Sequence, residues 1–263
     1  MHDCNHILEK LATSFAEALW PTRCVGCEEP GALLCERCAA RLERIDQRLA
    51  CPRCGAPFGH IVCTQCPAPG AVARDGQPLP APFSFAEARA ATGFTGIARD
   101  VVHAYKDGGE RRLAGLMADE VACALRGGRR PALQDDVAAR AHGACDWTGA
   151  LDRIVPVPCT PQALRRRGFD HVGLVAEELA GRLGLPRLAA LRTRKSADQR
   201  ELSAEARRRN KRGSFSACAD VAGMRVLLLD DVMTTGATAS AAADALLACG
   251  AQSVRVAVFS RVW

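Results

Sequence analysis

No apolar run in the chain approaches the roughly 20 residues that span a bilayer, which predicts no membrane span. The opening residues include His2, Asp3, Glu9, Lys10 and Glu17 and lack the apolar core of a signal peptide. Both absences point to a cytoplasmic protein. Internal repeats are missing, apart from paired cysteines. Aromatic residues make up 5% of the 263 positions, and only Phe215 lies near the most basic stretch, which argues against recognition of bases by stacking there. Large apolar residues are few between Cys24 and Cys66, so this segment cannot bury enough surface to fold unaided.

Hydrophobic residues at 48% and charged residues at 24% are the fractions of a soluble globular chain, long enough for one large or two smaller domains. The formal charge is +6, but it is concentrated: residues 187–212 hold ten basic and three acidic side chains. Such a segment suggests a phosphate-rich partner, either a small molecule or nucleic acid.

Of fourteen cysteines, eight fall in four Cys-x2-Cys pairs: Cys24 and Cys27, Cys35 and Cys38, Cys51 and Cys54, Cys63 and Cys66. Two residues between thiolates let both sulfurs reach one metal ion from a tight turn, and four thiolates fill a tetrahedral zinc site. One or two structural Zn2+ ions are therefore expected, supplying folding energy that the apolar content does not. Disulfides are the alternative, disfavoured in a reducing compartment. Sharing of one ion by the first and second pairs, and another by the third and fourth, closes shorter loops than an interleaved arrangement and loses less entropy. Cys4, Cys123, Cys145, Cys159, Cys218 and Cys249 lack the spacing and read as small core residues or incidental thiols.

Four segments are expected: an N-terminal amphipathic helix over 1–23, a cysteine module over 24–68, a Pro/Ala/Gly-rich linker over 69–84, and an α/β domain over 85–263. In the last, strands are expected at 85–91, 154–158, 227–230 and 254–259, and helices at 97–105, 111–125, 172–183 and 237–249. This alternation argues for a parallel sheet flanked by helices. Residues 127–152 read as a loop or insertion.

The stretch from Val226 to Thr238 says most about function. Four apolar residues run into Asp230 and Asp231, then a loop with Thr234, Thr235 and Gly236, then an alanine-rich helix with Ala237 and Thr238 at its start. In open parallel sheets ligands sit beyond the carboxyl ends of the strands. Hydroxyls, a permissive glycine and a helix N-terminus suit a phosphate, and the carboxylates suit sugar hydroxyls or a metal ion. The pattern resembles the phosphoribosyl pyrophosphate (PRPP) signature of type I phosphoribosyltransferases.

With the cysteine pairs, Tyr105 to Gly109, Ile154 to Pro158, Arg165-Arg166-Arg167-Gly168-Phe169-Asp170, Gln199, Arg209-Asn210 and this loop in one order, the chain resembles the ComF family. Members are competence-associated, phosphoribosyltransferase-like proteins with an N-terminal zinc module. The resemblance implies a type I phosphoribosyltransferase-like sheet, PRPP bound with Mg2+, and an enzyme of the pentosyl-transferring class. Asp230 and Asp231 would accept from ribose hydroxyls, and Thr234, Thr235, Gly236, Ala237 and Thr238 would hold the 5′-phosphate. Arg165, Arg166, Arg167 and Lys106 would meet pyrophosphate. The 6-oxopurine enzymes carry a carboxylate where Thr234 stands, which argues against oxopurine salvage. The usual Gly-Phe-Asn-Gln is here Gly168-Phe169-Asp170-His171, so no amide-dependent role carries over, and His171 reads as structural.

Residues 193–212 occupy the place of a mobile lid. Within them Arg207, Arg208, Arg209, Lys211 and Arg212 are candidates for single-stranded DNA. The alternative to an enzyme is thus a non-catalytic competence protein that handles DNA and keeps the pocket for binding or regulation. A linker would let the zinc module engage a partner independently of the pocket.

Overall fold

The computed structural model describes residues 21–66, 83–128, 146–194 and 213–263. The expected N-terminal helix, most of the linker and the basic cluster from Arg207 to Arg212 lie outside the described residues. Among them the elements are α1 (Glu36–Ala39), β1 (Glu87–Gly93), α2 (Gly96–Lys106), α3 (Leu113–Leu125), β2 (Arg153–Pro156), α4 (Pro161–Arg167), α5 (His171–Leu183), β3 (Leu191–Thr193), β4 (Phe215–Ala217), β5 (Arg225–Met233), α6 (Ala237–Ala248) and β6 (Ser253–Arg261). None of the described helices is long and apolar enough to cross a membrane.

Four strands form one parallel sheet in the order β1-β6-β5-β2. The continuous apolar run of β5 suits a central strand covered on both faces. Its period of two is visible in the packing. Leu227 and Leu229 face a cluster with Leu113, Met117 and Leu179 from α3 and α5, whereas Val226 and Leu228 face Ala242, Ala243 and Leu246 of α6. All four are fully buried, each leucine contributing about 1.5–3 kcal/mol by removal from water. The alanines of α6 let that helix lie close to the sheet.

Two strands run further than the sequence suggests. β5 continues through Asp230 and Asp231 to Met233, because its pairing with β6 persists as Asp230 with Val258, Val232 with Ser260 and Met233 with Arg261. Tertiary pairing overrides the polar character of both strand ends. Helix α4 is an element that the expected strands and helices did not include. Thr160 caps it by accepting from the Ala163 amide at 3.2 Å, Pro161 starts it, and Gly168 closes it at φ 73°.

The cysteine module does not stand apart on a tether. The Ile45 amide donates to Ala91 at 3.0 Å, Gly93 donates to Glu43 at 2.9 Å, and Ala88 donates to Pro52 at 3.1 Å. Arg44 makes a two-pronged pair with Glu120 of α3, at 2.7 and 2.8 Å. The module covers the β1 edge that would otherwise present unpaired backbone. Phe83 and Ser84, expected as linker, are packed: Phe83 stacks on Phe85, and the Ser84 amide donates to Ser240 Oγ at 3.0 Å.

Candidate functional site

At the carboxyl end of β5 the chain turns through Thr234, Thr235 and Gly236 into α6. Thr234 and Thr235 are exposed, and Thr238 is half-buried. Gly236 is the N-cap at φ 73° and offers no side-chain cap, and the Ala237 amide that opens α6 donates to Thr235 Oγ1 at a long 3.4 Å, a contact that an anion could replace. A Cβ on Gly236 would sit 2.6 Å from the Phe83 ring.

Asp231 is buried, 4% exposed, and its Oδ2 lies 2.5 Å from Lys106 Nζ and 3.1 Å from His171 Nε2. Both are ion-pair contacts to one buried carboxylate oxygen. Among the described residues, two buried side-chain polar atoms lack a hydrogen bond, Asp231 Oδ2 and Arg167 Nε. The Arg167 guanidinium adjoins the same cluster, its Nη1 lying 3.4 Å from both His171 ring nitrogens. Burial and the adjacent Asp231 push the Asp230 carboxyl up to about 8. Burial would raise Asp231 as well, but His171 and Lys106 outweigh it and hold its carboxyl down at about 2. Two neighbouring carboxylates with opposite shifts are a mark of a functional site.

The sequence candidates are therefore distributed unevenly. Lys106, at the end of α2, reaches Asp231 directly. Arg167 reaches the same cluster, whereas Arg165 and Arg166 are exposed on α4.

Sequence reasoning missed three contributors. Cys159, read as incidental, lies 2.8 Å from His171 Nδ1 and 3.2 Å from Asp170 Oδ1. Burial and the Asp170 carboxylate push its thiol up to about 11. Tyr105 donates its hydroxyl to the His171 carbonyl at 2.6 Å. Arg261, 1% exposed, donates to the carbonyls of Met233 and Thr234 at the base of the loop and to Cys54 at 3.1 Å. The only sequence signal for Cys159 and His171 was the departure at Asp170-His171. Arg261 carried none.

The eight paired cysteines form two tetrads, Cys24, Cys27, Cys35 and Cys38, and Cys51, Cys54, Cys63 and Cys66. Sulfur separations of 3.6, 3.7 and 4.0 Å recur in them. A tetrahedron with zinc–sulfur bonds of 2.3 Å has edges of about 3.8 Å. The donor set and spacing fit structural Zn2+, and the grouping is sequential.

Residues 165–262 match the model of the phosphoribosyl transferase domain, and residues 15–70 match the double zinc ribbon domain. Glutamine PRPP amidotransferase from B. subtilis is 18% identical with a TM-score of 0.33, the likeness covering 56% of this chain and 25% of that one. Competence protein F of Haemophilus influenzae is 33% identical over 110 residues, 40% of this chain and 48% of its own length. DNA utilization protein YhgH is 32% identical in Salmonella typhi over 245 residues and 31% identical in Escherichia coli K12 over 244. Each covers 90% of this chain and 95% of its own length. The chain belongs to the ComF family. In this ComF-family chain the matched transferase span holds the end of α4, His171, β5 and the loop, while Lys106 reaches the pocket from outside it. The zinc ribbon precedes the transferase domain and is joined to its loop through Arg261.

Proposed function

We propose that this chain binds PRPP with Mg2+ at the end of β5 and transfers the phosphoribosyl group to an unidentified acceptor. The observation that carries the reading is the run of Asp230 and Asp231 through a left-handed turn at Gly236 into an uncapped helix N-terminus. Arg167 Nε, buried without a hydrogen bond, supplies the second support, since a phosphate oxygen would satisfy it. Asp230 and Asp231 accept from the ribose hydroxyls. Thr234, Thr235 and Thr238, with the amides of Gly236 and Ala237, hold the 5′-phosphate. Lys106 and Arg167 turn toward the pyrophosphate, with Arg165 and Arg166 further out. Mg2+ would supply neutralisation of the charge that builds on the pyrophosphate. Positioning and electrostatics then account for rate without a covalent step on the protein. Thr234 offers no base for a purine proton, so the acceptor is not a 6-oxopurine.

Calorimetry with PRPP and Mg2+ tests the pocket. Wild type binds, and the double variant Asp230→Ala/Asp231→Ala loses about 100-fold in affinity, the worth of one charge-assisted and one neutral hydrogen bond. No binding by wild type would sink the reading. Pyrophosphate release with candidate acceptors separates transfer from binding.

A second reading is favoured by relatives named for DNA utilization and competence, and by the ten basic residues within 187–212. In it, the chain handles single-stranded DNA through Arg207, Arg208, Arg209, Lys211 and Arg212, and the pocket regulates. Affinity for a single-stranded oligonucleotide then falls steeply with salt. It is also lost on neutralising Arg207, Arg208 and Arg209 while PRPP binding survives. Salt-independent or absent binding counts against it.

A further inference from the structure

The connection from β2 to α4 and the turn from α4 to α5 bring Cys159, Asp170 and His171 together. Sγ of Cys159 lies 2.8 Å from His171 Nδ1 and 3.2 Å from Asp170 Oδ1, and the three donor atoms lie within 4.8 Å of one another. We infer that these residues form a third Zn2+ site, separate from the two cysteine tetrads, with a fourth position left for water or a ligand atom.

The donor set is the first argument. One thiolate, one carboxylate and one imidazole balance the charge of a divalent ion, and a mixed sulfur, nitrogen and oxygen set suits borderline-soft zinc.

The orientation of His171 is the second. Its Nε2 faces Asp231 Oδ2 at 3.1 Å. An ionised carboxylate only accepts, so the ring proton belongs on Nε2 and the lone pair on Nδ1, where Cys159 Sγ is the near neighbour at 2.8 Å and Arg167 Nη1 the farther one at 3.4 Å. A histidine ligand whose other nitrogen faces a carboxylate is the usual second support of a zinc ion. Tyr105 fixes the His171 backbone from the other side.

Spacing is the third. Bonds of 2.0–2.3 Å give tetrahedral edges of about 3.3–3.7 Å. The observed 2.8 and 3.2 Å are shorter by tenths of an ångström, and Cys159 and Asp170 are both half-buried rather than sealed. A small outward movement admits an ion. Asp170 Oδ1 also accepts from the Gly173 amide at 3.0 Å, which anchors it at the start of α5.

The same line of thiol, imidazole and carboxylate could serve a nucleophilic cysteine. The Asp170 carboxylate beside the sulfur opposes a free thiolate, however, and a cation relieves that opposition. The site lies one imidazole ring from Asp231. Zinc on Nδ1 would make the Nε2 proton a stronger donor toward that carboxylate, so occupancy and the pocket are coupled.

Metal content of the full chain tests this. After equilibration with excess Zn2+ and desalting, wild type carries three ions per chain by mass spectrometry, while Cys159→Ala and His171→Asn carry two. Cys159 is half-exposed, so Cys159→Ala keeps its fold, which an unchanged melting temperature verifies. Wild type saturating at two ions, or Cys159→Ala retaining three, overturns the site. In the tetrad-loaded protein, added Zn2+ slows iodoacetamide labelling of Cys159 by at least about tenfold, because a metal-bound thiolate is withdrawn from reaction. Rapid labelling indifferent to Zn2+ also overturns the site, in favour of the nucleophile.

Discussion

Gly236 holds φ at 73° with the Phe83 ring against its Cα, so two constraints act on one residue. A side chain there meets left-handed strain of about 1–2 kcal/mol and displaces the ring. Gly236→Ala is expected to lose at least about 1–2 kcal/mol in urea unfolding, together with PRPP affinity. A change of a few tenths would show that the turn tolerates a Cβ. Asp230 gives a prediction of pH dependence. Its folded carboxyl, raised from 3.8 to about 8, contributes stability that is full below pH 3.8 and is lost as pH rises through about 8. The ligand-free protein should therefore lose stability across this window, and Asp230→Asn should flatten the slope in melts taken across the range. Asp231 has the opposite sign: its contribution is present above pH 3.8 and is lost as pH falls toward about 2.

At the scale of elements, β6 does more than pair. Its last residue, Arg261, reaches the Met233 and Thr234 carbonyls at the end of β5 and the Cys54 carbonyl of the second tetrad. Arg261→Met leaves those acceptors without their charged donor in a buried place, an expected loss of about 2–4 kcal/mol. Arg261→Lys should restore little of it, because an ammonium lacks the planar fork that serves separated carbonyls. Urea unfolding measures both, and a loss below about 0.5 kcal/mol would mean water replaces the guanidinium. The turn from α4 to α5 is the other element with two duties. Asp170 caps α5 with the carboxylate that also touches Cys159.

Across the whole molecule, the zinc ribbon and the transferase domain share a boundary of backbone hydrogen bonds, the Arg44–Glu120 pair and Arg261. Removing zinc from the tetrads with a strong chelator should therefore lower the melting temperature of the chain in one transition and weaken PRPP binding, although no tetrad thiolate lies at the pocket. Two independent transitions with PRPP affinity unchanged would instead describe a tethered module, which the linker composition suggested.

The sequence alone was enough for features whose partners are near neighbours along the chain. Cysteine spacing specified two metal knuckle sets because each closes a short loop. The apolar run of β5 with the glycine turn after it specified a buried strand that turns into a helix, because strand, turn and helix start are local. Tertiary structure alone decided which groups act on the two aspartates. Lys106 and His171 reach Asp231 from helices far apart in the chain, Cys159 meets His171 across the α4 turn, and Arg261 ties a zinc tetrad to the loop. No period or motif encodes such pairs. They exist because a parallel sheet stacks the ends of distant strands and helices on one edge, where burial turns ordinary lysine, histidine, cysteine and arginine side chains into partners.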